Sequence, residues 1–338
     1  MDREALILRE IVETHIASGE AVGSKTIAQR LGNELSSASI RAIMATLGQR
    51  GLLVQPHTSA GRVPTDLGYR EYLAELGPVH PRPRDKARVE QLAWHEGESA
   101  TDVMREAASA VGHELGAAAV VVAPRLEQSS LQRLDLVYLG RGRVLAVAVT
   151  AAGVVHERLL VVEPDLDRRE LERFTNYLDT LLPGRTLAEV RAALEDAQRE
   201  DRDALERRAA AIGQRALDGV EADTEILVEG ASRVLAAREF AEQPEKAAEL
   251  MRALEERAAW LALLERLAAA DDTRIYLGDE IGVPGLSPCG LLVRRYRVGD
   301  RPGGGGIMVL LGPKRLDYRR GIPLLGLVAR RLGEVLAL

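Results

Sequence analysis

The stretch Ser36-Ser37-Ala38-Ser39-Ile40-Arg41-Ala42-Ile43-Met44-Ala45-Thr46-Leu47-Gly48-Gln49-Arg50-Gly51-Leu52-Leu53-Val54-Gln55-Pro56-His57-Thr58-Ser59-Ala60-Gly61-Arg62-Val63-Pro64 decides how this chain begins to fold. Ser36 or Ser37 can cap a helix from about Ala38 to Arg50, because a serine oxygen accepts from a free N–H of the first turn. Ile40, Ile43, Met44 and Leu47 then fall on one side and bury together. After Gly51, the runs Leu52–Gln55 and Arg62–Pro64 predict two short strands around a Gly-containing hairpin. Upstream, Leu6, Ile7, Ile11, Val12 and Ile16 keep helical spacing until Gly19, and Ser24 can cap a short helix through Leu31. The Gly32-Asn33 turn joins that helix to the next, as in a helix-turn-helix. Three helices followed by a hairpin make a winged helix, expected over residues 1–78.

The side of the third helix opposite its apolar stripe carries Ala38, Ala42, Ala45 and Gln49, flanked by Ser39, Arg41 and Thr46. A surface helix usually shows long charged side chains to solvent, whereas this one shows methyls and short hydroxyls. Such a face can approach base edges closely, with Ala and Thr methyls against thymine and Gln or Arg placed for bidentate contacts. The competing reading is a helix packed on another domain through its small residues. Charge separates the two. From Ala21 to Arg70 there are six basic residues against two acidic, an excess of +4, and no acidic residue at all between Leu35 and Thr65. Carboxylates near DNA phosphates are repelled, so their absence across a helix and wing suits a phosphate partner. Ser37, Ser39, Arg41, Ala42 and Thr46 are expected to face bases or flanking phosphates, and Lys25, His57, Thr58, Ser59 and Arg62 to hold the backbone or minor groove.

Beyond the winged helix, a Pro- and Arg-rich linker, Pro78–Arg84, is expected to separate domains. A helical stretch to about Leu115 leads into strand candidates at Ala117–Val122, Leu131–Leu139, Arg143–Thr150 and Val154–Val162. The alternation of Leu134, Leu136 and Tyr138 suits a sheet with one covered face. Helical patterning runs from Leu166 to Ala270, and strand signals return at Thr273–Leu277, Gly290–Val298 and Ile307–Leu311 before a last amphipathic helix around Pro323–Leu338. This predicts an α+β multidomain chain with a linker and helix at 79–100, an α/β domain in two parts, 101–204 and 272–338, and a helical insertion at 205–271. Leu250, Leu254, Trp260, Leu261, Leu263, Leu264 and Leu267 are too many for a single-faced surface helix. The block either covers its own sheet or pairs with a second copy.

The whole chain has 338 residues with 45 Lys+Arg and 51 Asp+Glu, a net charge of −6. Given the excess of +4 over Ala21–Arg70, the remainder carries −10. The longest apolar run, Gly116–Pro124, is about nine residues, against roughly 18 for a membrane-spanning helix, and the start is charged. A cytoplasmic protein with no membrane partner is expected, and the single Cys289 fits a reducing compartment. Six scattered histidines offer no metal spacing. The Gly303–Gly306 run continues into Ile307-Met308-Val309, as a hairpin tip does and a phosphate loop does not. Lys314-Arg315 with Asp317-Tyr318 could bind an anion or form a surface turn with a local ion pair. Asp271-Asp272 and Asp279-Glu280 lack a companion His, Cys or nucleophile elbow and read as solvated strand ends. No catalytic residue, cofactor or metal is expected.

Several runs taken together resemble the HrcA family of heat-inducible transcription repressors: Gly23–Thr26, Ser36–Arg41, Gly51–Leu53, above all Gln55–Asp66 with Gly68-Tyr69-Arg70, then Glu225–Ala231, Gly278-Asp279-Glu280 and Gly312–Tyr318. The resemblance covers nearly the whole length. It implies a winged helix, a GAF-like domain and an inserted dimerising domain, in a homodimer that represses chaperone genes. It further implies an inverted-repeat operator of the CIRCE type and a chaperonin, GroEL, that keeps the repressor active until heat stress. The chain departs from the family pattern at Ala42 and Ile43, at Lys314 and Leu316, in the Gly303–Gly306 run, and at Gly48. A helix-interior glycine costs roughly 0.5–1 kcal/mol relative to alanine. The alternative function is a GAF-type small-molecule sensor whose winged helix is a protein-interaction module.

Overall fold

The computed structural model describes residues 3–57, 60–93, 95, 98–124, 130–151, 153–162, 166, 168–199, 204–218, 225–267, 272–299 and 305–337. The chain opens with helices α1 (Arg3–Ser18), α2 (Ser24–Arg30) and α3 (Ser37–Gln49), followed by the antiparallel pair β1 (Leu53–Val54) and β2 (Val63–Pro64). Helix α4 (Asp66–Ala74) comes directly after, capped by the Thr65 hydroxyl, which accepts from the Gly68 amide at 3.1 Å. Gly32 and Asn33 both adopt left-handed φ near +62°, which makes the α2–α3 turn tight.

Next come α5 (Pro83–Glu90), α6 (Ala100–Leu115), β3 (Ala118–Val122), β4 (Leu131–Gly140), β5 (Arg143–Thr150) and β6 (Val155–Val161). Then follow α7 (Arg168–Leu181), α8 (Leu187–Arg199), α9 (Ala204–Leu217), β7 (Ile226–Glu229), α10 (Ala231–Leu235), α11 (Arg238–Ala241), α12 (Pro244–Glu255) and α13 (Arg257–Leu267). The chain closes with β8 (Arg274–Leu277), β9 (Cys289–Arg297), β10 (Gly305–Pro313) and α14 (Tyr318–Val335). No helix among the described residues is long and apolar enough to cross a membrane.

The strands divide into separate sheets. β7-β3-β10-β9-β8 form a five-stranded antiparallel sheet, and β4-β5-β6 a three-stranded one. The sequence reading places β3 and β4–β6 together in the first part, 101–204, of a two-part domain. β3 reads Ala-Ala-Val-Val-Val and is buried on both faces, because helices cover each side of the sheet in which it is an interior strand. β5 alternates instead, since only one face of its sheet is covered.

On one face of the larger sheet lies a continuous core that runs from Ile7, Ile11 and Leu47 in the N-terminal helices through α6 to Leu324, Leu332 and Leu336. On the other face, Phe240, Leu250, Leu254, Trp260, Leu263, Leu264 and Leu267 pack against Val120, Leu291 and Val309. The apolar residues of 244–267 therefore cover their own sheet. A third core joins Leu134, Leu136, Val144 and Ala146 of the small sheet to Phe174, Leu178, Leu194 and Leu217 of α7–α9. The unit with its own core thus spans about 131–217, and not the helical stretch 205–271.

Two further expectations change. Ile226–Glu229, read within a helical block, is an edge strand on β3, ended by Gly230 at φ +78°. The Pro- and Arg-rich linker runs into a helix, α5, that is strapped to the body: Asp85, 2% exposed, accepts from Arg320 at 2.6 Å, and Arg320 also meets Glu114.

Candidate nucleic-acid interface

Helix α3 buries Ile40, Met44 and Leu47 against the N-terminal core, with Ile43 half-buried beside them. The cap is Ser36, whose oxygen accepts from the Ser39 amide at 3.0 Å. The opposite side is open: Ala38, Ser39, Arg41, Ala42, Ala45, Thr46 and Gln49 are all exposed, so no described part of the chain covers this face. That leaves the packing alternative without an intramolecular partner.

Of the predicted contact residues, Ser39, Arg41, Ala42 and Thr46 share this exposed face. Ser37 does not join them freely. It is half-buried, and its Oγ lies 2.9 Å from Ser24 Oγ, a bond that ties α2 to the start of α3. Ser24 is consequently not the cap of α2; that position belongs to Gly23, without a side-chain bond. Lys25, next to this link, is exposed.

In the hairpin, His57 is exposed, whereas Thr58 and Ser59 lie outside the described residues. Arg62 is held at its backbone by a bridge to Val22, with both N–H···O distances 2.9 Å. The close approach of the Val22 backbone leaves no room for a Cβ at residue 61 and accounts for Gly61. The Arg62 guanidinium then crosses α3 at Gly48, where a Cβ would stand 2.5 Å from Nη1. Gly48 is therefore a slot for the hairpin arginine. Sequence reasoning saw only its helix penalty, because a glycine in one element says nothing of a side chain arriving from another.

The charge excess resolves residue by residue. Arg30 meets Glu10 at 3.0 Å, Arg50 meets Glu4 at 2.7 Å and Arg70 meets Glu280 at 2.8 Å, so three of the six cations are paired. Lys25, Arg41 and Arg62 have no carboxylate partner among the described residues. These are the three cations that sequence reasoning assigned to DNA. They stand along α3: Lys25 by its first turn, Arg41 on it, and Arg62 across its last turn.

The comparisons with known proteins bear on what this surface serves. The family described as HrcA protein C terminal domain matches residues 101–322. The heat-inducible transcription repressor HrcA of Sorangium cellulosum (strain So ce56) is 36% identical, over 99% of this chain and 97% of its own length. The chain belongs to the HrcA family. The heat-inducible transcription repressor HrcA of Nitratidesulfovibrio vulgaris (strain Hildenborough) is 38% identical over 99% of this chain and 96% of its own. A crystal structure of a hypothetical protein shares the fold of this HrcA chain, with a TM-score of 0.67 at 23% identity, covering 100% of this chain and 98% of that one.

HrcA proteins are named as repressors and not as enzymes, and most of the acidic and basic motifs outside α3 and the hairpin are held in structural contacts. Asp279 accepts from the Ser287 hydroxyl at 2.6 Å, while Glu280 holds Arg70; Asp271 lies outside the described residues. Lys314 is spent on Asp66 at 2.6 Å and Arg315 on Glu239 at 2.5 Å, which leaves neither cation for an anion. Asp317 caps α14, accepting from the Arg320 amide at 3.1 Å. Burial pushes the Cys289 thiol up to about 12, the wrong direction for a nucleophile. His95, Glu98 and Glu106 bring donor atoms within 4.8 Å of one another at the surface, with no buried group to support a metal there. Of the glycine run, residues 303 and 304 lie outside the described residues, and Gly305 and Gly306 sit in β10 where the Tyr296 and Val122 carbonyls leave no space for a Cβ.

Proposed function

We propose that this chain is a heat-inducible transcription repressor that binds an inverted-repeat operator of the CIRCE type as a homodimer. Residues 1–78 act as a winged helix, with α3 in the major groove of one half-site and the β1–β2 hairpin against its backbone or minor groove. The observation that carries this reading is the coincidence of the uncovered small-residue face of α3 with Lys25, Arg41 and Arg62, three cations without a carboxylate partner among the described residues. Ser39, Ala42, Thr46 and Gln49 face bases, Arg41 reads a base or adjacent phosphate, and Lys25, His57, Thr58, Ser59 and Arg62 hold the backbone. Ser37 supports this arrangement through Ser24. The body, 101–130 and 218–338, is the GAF-like domain, and the work takes place in the cytoplasm.

The dimer forms through the small sheet. On its uncovered side, Val137, Leu145 and Leu159 line up across the strands, with Val149 opposite Val155, and Val161 is 70% exposed. An apolar patch of this kind on a soluble protein marks an interaction site. A second copy offers the same patch, as a two-fold contact requires. The recognition helices then meet half-sites about 34 Å apart.

A mobility shift with an inverted-repeat duplex and a scrambled duplex tests the reading. Retardation of the first alone is expected, while equal weak retardation of both favours a sensor whose winged helix binds protein. Arg62→Ala should weaken binding and lower the slope of log K against log salt by about one. An unchanged slope removes Arg62 from the phosphate contacts. Warming with and without GroEL separates intrinsic heat sensing, lost in both samples, from chaperonin dependence.

A further inference from the structure

Asp66 and Arg70 stand one turn apart on α4, immediately after the hairpin, and they reach residues 248 and 210 positions away. Asp66 meets Lys314 Nζ at 2.6 Å; Arg70 Nε donates to Glu280 Oε1 at 2.8 Å, and its Nη2 to the Ile275 carbonyl at 2.9 Å. Between the two pairs, buried Tyr69 packs edge-on against buried Tyr318, with centroids 6.2 Å apart. Gly278, at φ +57°, passes the Asp66–Lys314 pair where a Cβ would overlap both side chains. Arg319 to Glu13 at 2.7 Å, and Arg238 with Glu20, extend the same seam.

The shared apolar core holds the N-terminal module against the body, but apolar contact is non-directional and sets the angle less sharply than paired charges do. Along α4 the order is acid then base, and the body answers with base then acid, so a seating shifted one way brings Asp66 toward Glu280 and one shifted the other way brings Arg70 toward Lys314. Like-charge contact of this kind selects one register.

We infer that Asp66, Arg70, Glu280 and Lys314 are positioning residues for operator binding: they touch no DNA, and they set the angle at which each module leaves the body, so that a dimer presents its two α3 helices at the spacing of the half-sites. The inference rests on the dimeric operator reading above. Its signature is a split between duplexes. A half-site needs one module and is indifferent to the angle, whereas a full site needs both at once and loses effective concentration when the angle is free.

The test is fluorescence anisotropy on labelled duplexes carrying the inverted repeat or one half-site, with Arg70→Glu, Glu280→Arg, Lys314→Glu and the exchanged double variant Arg70→Glu/Glu280→Arg. Single reversals should lower full-site affinity about tenfold and half-site affinity by no more than about twofold, and the exchanged pair should regain most of the loss. Thermal unfolding followed by circular dichroism separates a seating defect from a folding defect. Equal losses on both duplexes, no loss on either, a gain on the full site, or failure of the exchanged pair to rescue would each overturn the inference. If the native chain binds the inverted repeat no better than a scrambled duplex, the operator reading itself falls and this inference with it.

Discussion

The N-terminal module and the 131–217 lobe are both small units attached to the same five-stranded body, yet they are attached in opposite ways. The module shares its apolar core with the body and adds a seam of ion pairs. The lobe has a core of its own and presents an uncovered apolar sheet face. A shared core makes two units melt and move together, while separate cores allow each its own stability. The part proposed to read DNA is therefore rigid with respect to the body, and the part proposed to pair with a second copy is independently built.

Emptying the lobe tests that contrast most strongly. Phe174→Ala removes a fully buried ring and should cost the lobe about 4 kcal/mol. Differential scanning calorimetry should then resolve an early transition for the lobe with the module and body unmoved; a single shifted transition would mean that the cores are coupled. Arg320→Ala is the converse. It strands the buried Asp85 carboxylate, leaves the half-buried Glu114 with Arg88 alone, and should cost the module–body unit about 3 kcal/mol, with the lobe transition left in place.

Acid probes the same cluster. The Arg320 guanidinium holds the Asp85 and Glu114 carboxyls below their ordinary values of 3.8 and 4.5. Depressed pKa values stabilise the fold above those ordinary values, and the contribution is lost as pH falls through the lower folded ones. The module–body transition should therefore drop more steeply than the lobe's between pH 5 and pH 3, measured by circular dichroism at about one-unit steps. Leu159→Lys on the open face of the lobe should convert dimer to monomer in sedimentation velocity with a melting shift worth less than about 0.5 kcal/mol. The smallest effect is expected at Gly48→Ala. Alanine usually stabilises a helix by about 1 kcal/mol, and here the clash with Arg62 should cancel that gain and loosen the hairpin.

The N-terminal helices and hairpin were legible because every cue was local: a 3.6-residue stripe, a serine cap, the Gly32-Asn33 turn and two short strands. The exposed face of α3 followed from that stripe, and Lys25, Arg41 and Arg62 emerged from a charge tally. Local cues do not say which sheet a strand joins, so the sequence places β3 and β4–β6 in one part of one domain, although the unbroken apolar run of β3 beside the alternation of β5 held the clue. Ile226–Glu229 is four residues set among helices, too short for its period to stand out. Tertiary partners were invisible for the same reason. Asp66 gives no sign of Lys314, nor Gly48 of Arg62, and the motifs read as strand ends or a surface turn, Asp279-Glu280 and Lys314–Tyr318, serve to seat and brace the module.

The seat of the N-terminal module is built from α14 and the turn before it, far along the chain from the helices it holds, and Glu13 waits for Arg319 across 306 positions. Helices α1 to α4 thus have no surface to settle on until β9, β10 and α14, which follow them in the chain, have been made. Closing so long a loop comes late in folding. A chain that lacks α14 would carry a reading head aimed nowhere, and biogenesis itself would withhold full-operator binding from any copy in which α14 has not yet been made.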